Sequence, residues 1–138
     1  MKEVKYIPLD LVKADKNPNI IWKIEEVLQN KYWKALYRCV DARNDIYCTN
    51  LYKHRIVPIP ITPEILEKNG WNKEPSENVT WYKYRTDKSN LYICKDSFNN
   101  KDWLVCVALD KHYVANINYV HQLQHLLFGL GLSMDLKV

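Results

Sequence analysis

The sequence of 138 residues predicts an α+β protein. Three observations carry that class. Short runs of alternating apolar and polar residues, broken by Asn, Asp and Pro, fill the first 60 positions. A Thr-Pro start and a Gly stop then frame a short helix, with further strand-like runs after it. Last, apolar residues recur at helical spacing from Tyr119 to Leu130. The expected order is a small curled β-sheet or SH3-like barrel, a short helix, an antiparallel meander and a C-terminal helix.

Residues 20–29 fit two patterns. Ile20, Trp22 and Ile24 alternate as in a strand, whereas Ile24, Val27 and Leu28 suit a helix. The short length and the turn-like Asn30-Lys31 favour the strand. Trp33, Ala35, Tyr37 and Cys39 alternate with Lys34, Leu36, Arg38 and Val40, which puts Lys34 and Arg38 on one face. Ala42-Arg43-Asn44-Asp45 reads as a turn, Ile46–Tyr52 as the next strand and Arg55–Ile61 as a third. Pro58 and Pro60 remove two ladder donors, so that stretch is an edge or connector. It divides the chain into a basic β-rich subdomain, 1–61, and an α+β subdomain, 62–138.

Thr62 is the expected N-cap of a helix at 63–69, with Pro63 in its first position and Ile61 stapled onto Leu66. Lys68 suits its last turn and Gly70 its stop. Residues 72–78 read as a loop. Val79–Arg85, Asn90–Asp96 and Trp103–Leu109 form a meander joined by turn residues, and His112–Ile117 is a fourth strand. Trp103–Leu109 is apolar at every position, so cover on both faces is expected. Asn116 or Asn118 caps the final helix, whose core stripe is Tyr119, Val120, Leu123, Leu126, Leu127 and Leu130. His121, Gln124, His125 and Phe128 share a second stripe. Gly131 ends the helix, and Met134–Val138 return as a short edge strand.

Composition narrows the function. Three glycines leave none for a phosphate-cradling loop, which excludes the common nucleotide enzymes. An apolar fraction of 47% excludes a disordered chain. The formal charge of +4 is unevenly placed: residues 1–60 hold 11 Lys and Arg against 7 Asp and Glu, and residues 61–138 hold nine of each. The N-terminus lacks the apolar run of a signal peptide and no stretch is long enough for a membrane span, so a cytoplasmic protein without a membrane partner is expected. Cys39, Cys48, Cys94 and Cys106 show no CxxC spacing and read as reduced, small apolar side chains; a Cys39–Cys48 bridge across the hairpin is the alternative.

Two strings, Pro58-Ile59-Pro60-Ile61-Thr62-Pro63-Glu64-Ile65-Leu66-Glu67-Lys68-Asn69-Gly70-Trp71 and Tyr119-Val120-His121-Gln122-Leu123-Gln124, resemble those of an uncharacterised family of small proteins. That family belongs to Bacteroidetes and their phages and mobile elements. The resemblance covers roughly residues 50–130. It departs at His125, where the family pattern has Asn, and after Phe128, where Gly129-Leu130-Gly131 stands. It implies a phage or mobile-element setting and no mechanism.

Four constellations bear on chemistry. His121 and His125, one turn apart, have metal-ligand spacing, with Asp110 or His112 as a third ligand, or else they are core residues bonded to strand ends. Cys106 or Cys94 with His112 or His121 makes a nucleophile pair, although an apolar strand leaves a thiol inert. Asp96, Asp102 and Asp110 are acid–base candidates or ordinary turn residues. Finally, Lys31, Lys34, Arg38, Arg43, Lys53, His54 and Arg55 interleave with Tyr32, Trp33, Tyr37, Tyr47 and Tyr52, a mixture of cations for phosphates and rings for bases. The expected function is therefore a non-enzymatic binding protein without a cofactor or metal. Its expected partner is a nucleic acid or a host nucleoprotein complex, as an anti-CRISPR-like inhibitor of host defence would have. Lys34, Arg38, Arg43, Tyr47, Lys53, His54 and Arg55 form the contact surface, and His121, Gln124 and His125 a secondary one. A protein-only adaptor pairing through strand edges is the alternative, and a metal-dependent hydrolase at His121 and His125 the third reading.

Overall fold

The computed structural model describes residues 6–29, 35–44, 46–75, 80–87, 90–95, 103–107 and 112–138. The fold is α+β, and the described residues form two five-stranded antiparallel sheets and two α-helices, α1 (Pro63–Lys68) and α2 (Val120–Gly129). The chain divides into two compact units, Met1–Ile59 with Tyr119–Asp135 and Pro60–Asn118 with Leu136–Val138.

In the first unit, β1 (Leu11–Ala14), β2 (Asn17–Gln29), β3 (Ala35–Asp41), β4 (Cys48–Tyr52) and β5 (Ile56–Pro58) lie in the order β4-β3-β2-β1-β5. Residues 20–29 are strand, as their length and alternation predict. Ile24 is fully buried while Val27, part of the competing helical pattern, is 45% exposed. The two edge strands are joined by a single 3-10 turn, Lys53–Arg55. Three residues span at most about 10 Å, so the sheet must curl to bring the end of β4 near the start of β5. The curl does not close. β4 and β5 share no ladder, so the unit is an open sheet rather than the SH3-like barrel that the strand count suggested. A three-residue β5 that ends in Pro58 has too few donors to pair on both sides.

The core of this unit joins Tyr6, Val12, Ala14, Trp22, Ile24, Tyr37, Cys39 and Ile56, with Ile20 and Leu51 packed against it. The helix α2 packs on β1 and buries Val120, His121, Leu123, Gln124 and Leu127. Two expectations change here. The C-terminal helix joins the first 59 residues instead of completing a 62–138 subdomain. Its buried stripe is also rotated: Leu130 is exposed, while His121 and Gln124 point inward. The rotation follows from backbone bonds that only Gln124 can satisfy, described below. Neither Asn116 nor Asn118 caps the helix. Tyr119 does, its N–H donating to Gln122 Oε1 at 3.1 Å, while the Val120 N–H donates to the Ile59 carbonyl at 2.8 Å.

At the other end Gly131 takes φ +74°. Its N–H donates to the Phe128 carbonyl (3.0 Å) and the Leu132 N–H to the Leu127 carbonyl (2.8 Å), the paired bonds of a Schellman stop.

In the second unit α1 begins as its sequence predicts. Thr62 Oγ1 accepts from the Ile65 N–H at 3.3 Å, Pro63 occupies the first turn, and Gly70 closes the helix at φ +85°. Ile65 and Leu66 are its buried face. The sheet is a plain meander, β10-β9-β8-β7-β6, of β6 (Asn72–Pro75), β7 (Thr80–Arg85), β8 (Asn90–Lys95), β9 (Trp103–Val107) and β10 (His112–Ile117). Residues 72–75, expected to be loop, pair with β7 instead; the ladder bonds of Lys73 and Glu74 outweigh a composition that favours turns. Met134–Val138 add no strand to either sheet. The Asn69 side chain holds Lys137 by both backbone groups, its Nδ2 donating to the carbonyl and its Oδ1 accepting from the N–H, each at 2.7 Å. Ile61, Leu66, Trp71, Tyr82, Leu91, Ile93, Cys94 and Ile117 are buried in this unit. The expected two-sided cover of Trp103–Leu109 and the turn at Asn30-Lys31 lie outside the described residues and side chains.

The two glycines at the end of α2 separate two backbone effects. A Cβ at Gly129 or at Gly131 meets nothing within 4 Å, so only conformation decides the outcome. Gly131→Ala should destabilise by about 1 kcal/mol through the left-handed φ, and Gly129→Ala should stabilise by up to about 1 kcal/mol through helix propensity. Urea unfolding of both variants checks the opposite signs.

Candidate functional site

The sheet of the first unit presents its outer face through β3 and β4. On β3, Tyr37 and Cys39 point into the core, so Arg38 points out. It stands in register between Glu26 on β2 and Asn50 on β4. Its Nε lies 4.0 Å from Glu25 Oε2, a half-exposed pair of little energetic weight. Glu26, Leu28, Arg38, Cys48, Thr49 and Asn50 line a groove of about 340 Å³ on this face.

The hairpin turn ends the face on one side. There Arg43 is exposed, its N–H held by Asp41 Oδ1 at 2.9 Å, and Ile46 and Tyr47 are 77% and 65% exposed. At the far end Tyr52 stacks on His54, with centroids 5.9 Å apart and planes at 16°. Arg55 is committed elsewhere: its guanidinium bonds Asp15 Oδ2 at 3.0 Å and holds that carboxyl below its ordinary range. Lys53 is half-buried on the same turn, and Lys34 lies outside the described residues. The register thus brings Arg38, Arg43, Tyr47 and the Tyr52–His54 stack onto one hairpin. It takes Arg55 away from a free cationic role.

The secondary surface does not exist as one. His121 is 3% exposed and Gln124 1%, so neither presents itself to solvent. Gln124 is a buried bracket. Its Oε1 accepts from the Leu11 N–H at 2.9 Å, and its Nε2 donates to the carbonyls of Leu9 (2.9 Å) and Met134 (3.0 Å). One turn further on, His125 Nε2 lies 2.8 and 2.9 Å from the two oxygens of Asp10, a fully buried carboxylate. Asp10 Oδ2 also accepts from the Ile7 N–H at 2.9 Å. Between them Leu9 holds φ +77°, a conformation costly for a side chain with a Cβ. Its N–H bond to the Ile24 carbonyl (2.7 Å) and the Gln124 amide hold it there.

Rings close the cluster. His121 packs between Tyr6 (5.0 Å) and Tyr119 (5.9 Å, near-parallel), and meets His125 edge-on at 5.7 Å. Burial lowers its pKa to about 4, with help from His125, so the ring is neutral at pH 7. Burial raises Asp10, against the lowering effect of the Ile7 and His125 bonds. Burial, then Tyr37, pushes Tyr6 up to about 12. These are the signatures of a packed polar core. Asp10 and Tyr6, its two members missed in the sequence, leave one faint signal: Asp10 is the lone acid within Tyr6-Ile7-Pro8-Leu9-Asp10-Leu11-Val12.

The remaining chemistry is quickly placed. Among the described residues no three His, Cys, Asp or Glu side chains converge on a metal position, and His125 Nε2 is engaged by Asp10. Asp96, Asp102, Asp110 and the side chains of Cys106 and His112 lie outside what is described. Cys39 and Cys48 are free. The register pairs Cys39 with Thr49 and leaves Cys39 buried and Cys48 exposed, on opposite faces of the sheet. Cys39 is pushed up to about 12 by burial, which keeps it a thiol. No helix among the described residues is long and apolar enough to cross a membrane.

No family model matches the sequence, and no match was found among curated proteins or solved structures. The β3–β4 hairpin is the candidate site on its own geometry.

Two measurements test the buried cluster. Gln124→Ala leaves the Leu11 N–H and the Leu9 and Met134 carbonyls without partners and should cost about 2–4 kcal/mol in urea unfolding. Acid should also weaken the fold through His121. Its folded pKa of about 4 lies below the ordinary 6.5, so the unfolded state takes up the proton first. The contribution is whole above pH 6.5 and is lost as pH falls towards 4, on the order of 3 kcal/mol in all. Protonation of Asp10 acts with the opposite sign, because its folded pKa is raised. A His121→Gln variant should therefore lose less stability than the parent between pH 6.5 and 4.

Proposed function

We propose that this is a non-enzymatic binding protein that engages a nucleic acid or a nucleoprotein complex through the β3–β4 hairpin of its first unit. One observation carries the reading. Tyr47 and Tyr52 stay exposed on the same hairpin as the outward Arg38 and Arg43, and His54 stays exposed on the turn that follows it. Exposed rings offer stacking faces to unpaired bases, and guanidiniums donate paired hydrogen bonds to phosphate oxygens. The surface runs the length of β4, about 15–20 Å, room for a few nucleotides. The phage or mobile-element setting implied by the two sequence strings adds a specific form: an anti-CRISPR-like inhibitor that occupies the nucleic-acid channel of a host complex.

A second reading, a protein-only adaptor, draws on a different feature. Glu26 shares the groove with Arg38, and Glu25 stands beside it. Paired charges of both signs favour a polypeptide surface over a run of phosphates.

Titration with fluorescent single- and double-stranded oligonucleotides at two salt concentrations separates the readings. Nucleic-acid binding should weaken steeply with salt and fall at least tenfold in Arg38→Glu/Arg43→Glu, while Tyr47→Ala should weaken single strands by about 1–3 kcal/mol. No binding at low salt overturns the first reading and leaves the adaptor.

A further inference from the structure

We infer that β4 is a self-association edge: two copies of this chain pair antiparallel through Cys48–Tyr52 about a two-fold axis at Asn50. The inference goes beyond the binding function proposed above and does not depend on it.

The first observation is which backbone groups are open. The Asp41 N–H donates to the Tyr47 carbonyl at 2.8 Å, which marks 41/47 as a hydrogen-bonded pair of the β3–β4 ladder. Antiparallel pairs alternate, so 39/49 and 37/51 are bonded as well, and Thr49 and Leu51 spend their backbone groups on β3. Cys48, Asn50 and Tyr52 point theirs the other way, off the edge of the sheet. No bond beyond β4 reaches the Cys48 and Asn50 groups or the Tyr52 N–H among the described residues. The Tyr52 carbonyl opens the 3-10 turn.

The second observation is a contrast among edges. Exposed strand edges are normally blunted by proline, charge or a bulge. β5 ends in Pro58, and β6 carries Lys73, Glu74 and Pro75. β10 has a register shift between Tyr113 and Ala115. β4 reads Cys-Thr-Asn-Leu-Tyr, with no charge, no proline and no register shift. Among the described residues, it alone of these four edges carries none of the blunting features.

The third observation selects a second copy as the occupant. With Asn50 facing Asn50, Cys48 faces Tyr52 of the second copy. Asn50 exchanges two bonds across the axis, and each Tyr52 N–H meets a Cys48 carbonyl, so four backbone bonds form from one repeated surface. The side chains along the seam are uncharged, and the two Arg38, each one strand in from the edge, are three strand spacings apart, about 15 Å. The same register brings Ile46, just before the seam, alongside Tyr52 of the other copy. It thereby covers the most exposed large apolar side chain among the described residues. A five-residue edge buries less than the roughly 1,200 Å² of a stable interface, so the dimer forms only at high protein concentration.

Sedimentation velocity of the full chain, from micromolar to millimolar, should show a reversible monomer–dimer equilibrium. Asn50→Lys keeps the backbone N–H but sets two ammonium groups face to face, and should weaken the dimer at least tenfold with an unchanged near-UV spectrum. Sedimentation is read without any oligonucleotide present, which keeps this test separate from the function proposed above. In a Cys48→Ser background, Asn50→Cys should form a disulfide dimer on mild oxidation, since facing Cα atoms lie about 5.5 Å apart, within the roughly 4.4–6.8 Å that a disulfide spans. Thr49→Cys in the same background, on the other face and opposite Leu51 in this register, should not. A chain monomeric at every concentration, a dimer indifferent to Asn50→Lys, or equal crosslinking of the two cysteine variants overturns the inference.

Discussion

The first unit is organised around one buried amide. Gln124 supplies an acceptor to Leu11 and donors to Leu9 and Met134, tying three backbone segments to a single helix position. An unsatisfied backbone group in such a place costs more than a hydrogen bond gains, so the bracket constrains geometry more than it adds net stability. It decides the rotation of α2, because Gln124 must face inward. It also holds the strained Leu9, and with it the Ile7–Asp10 turn that places a buried carboxylate beside His125. The contacts are long-range: Gln124 and Leu11 are 113 positions apart. The sheet formed by the first 59 residues therefore lacks its cover until the chain has reached residue 124.

A helix that turns polar groups inward frees the other face of the sheet for contact. On the inner side of β3, Tyr37 meets Tyr6 edge-on, and Tyr6 meets His121 at a tilt, in a continuous run of ring contacts. On the outer side the same strand presents Arg38 between Glu26 and Asn50. Strand alternation alone produces this division, since neighbouring residues must point to opposite faces. The hairpin that carries the exposed rings and arginines thus belongs to a sheet anchored from behind, as a rigid contact surface requires.

Local signals were read well where the chain itself satisfies its hydrogen bonds. Thr62, Pro63 and Gly70 bound α1 because a cap, a fixed φ and a left-handed stop act within a few residues. Arg38 and Tyr47 were legible as surface residues from alternation and the turn beside them. Misreadings arose where distant partners intervened. Asn72–Pro75 looks like loop by composition yet is strand, because β7 accepts it. Arg55 looks like a free cation, but Asp15, 40 positions away, claims it. Asn116 and Asn118 are good caps by type, and the Ile59 carbonyl and the Gln122 side chain start the helix at Tyr119 instead.

By itself the sequence determined the α+β class, the two helices with the strands β2–β5 and β7–β10, the concentration of charge in the first 60 residues and the absence of a phosphate loop. Those properties follow from periodicity, turn chemistry and residue counts, which are local or additive. Tertiary structure alone decided that α2 joins the first unit, that His121 and Gln124 are core, that Asp10 is buried, and that β4 lies at an edge of its sheet. Each depends on a pairing across many tens of residues, or on a neighbour's absence, and neither leaves a periodic trace in the chain.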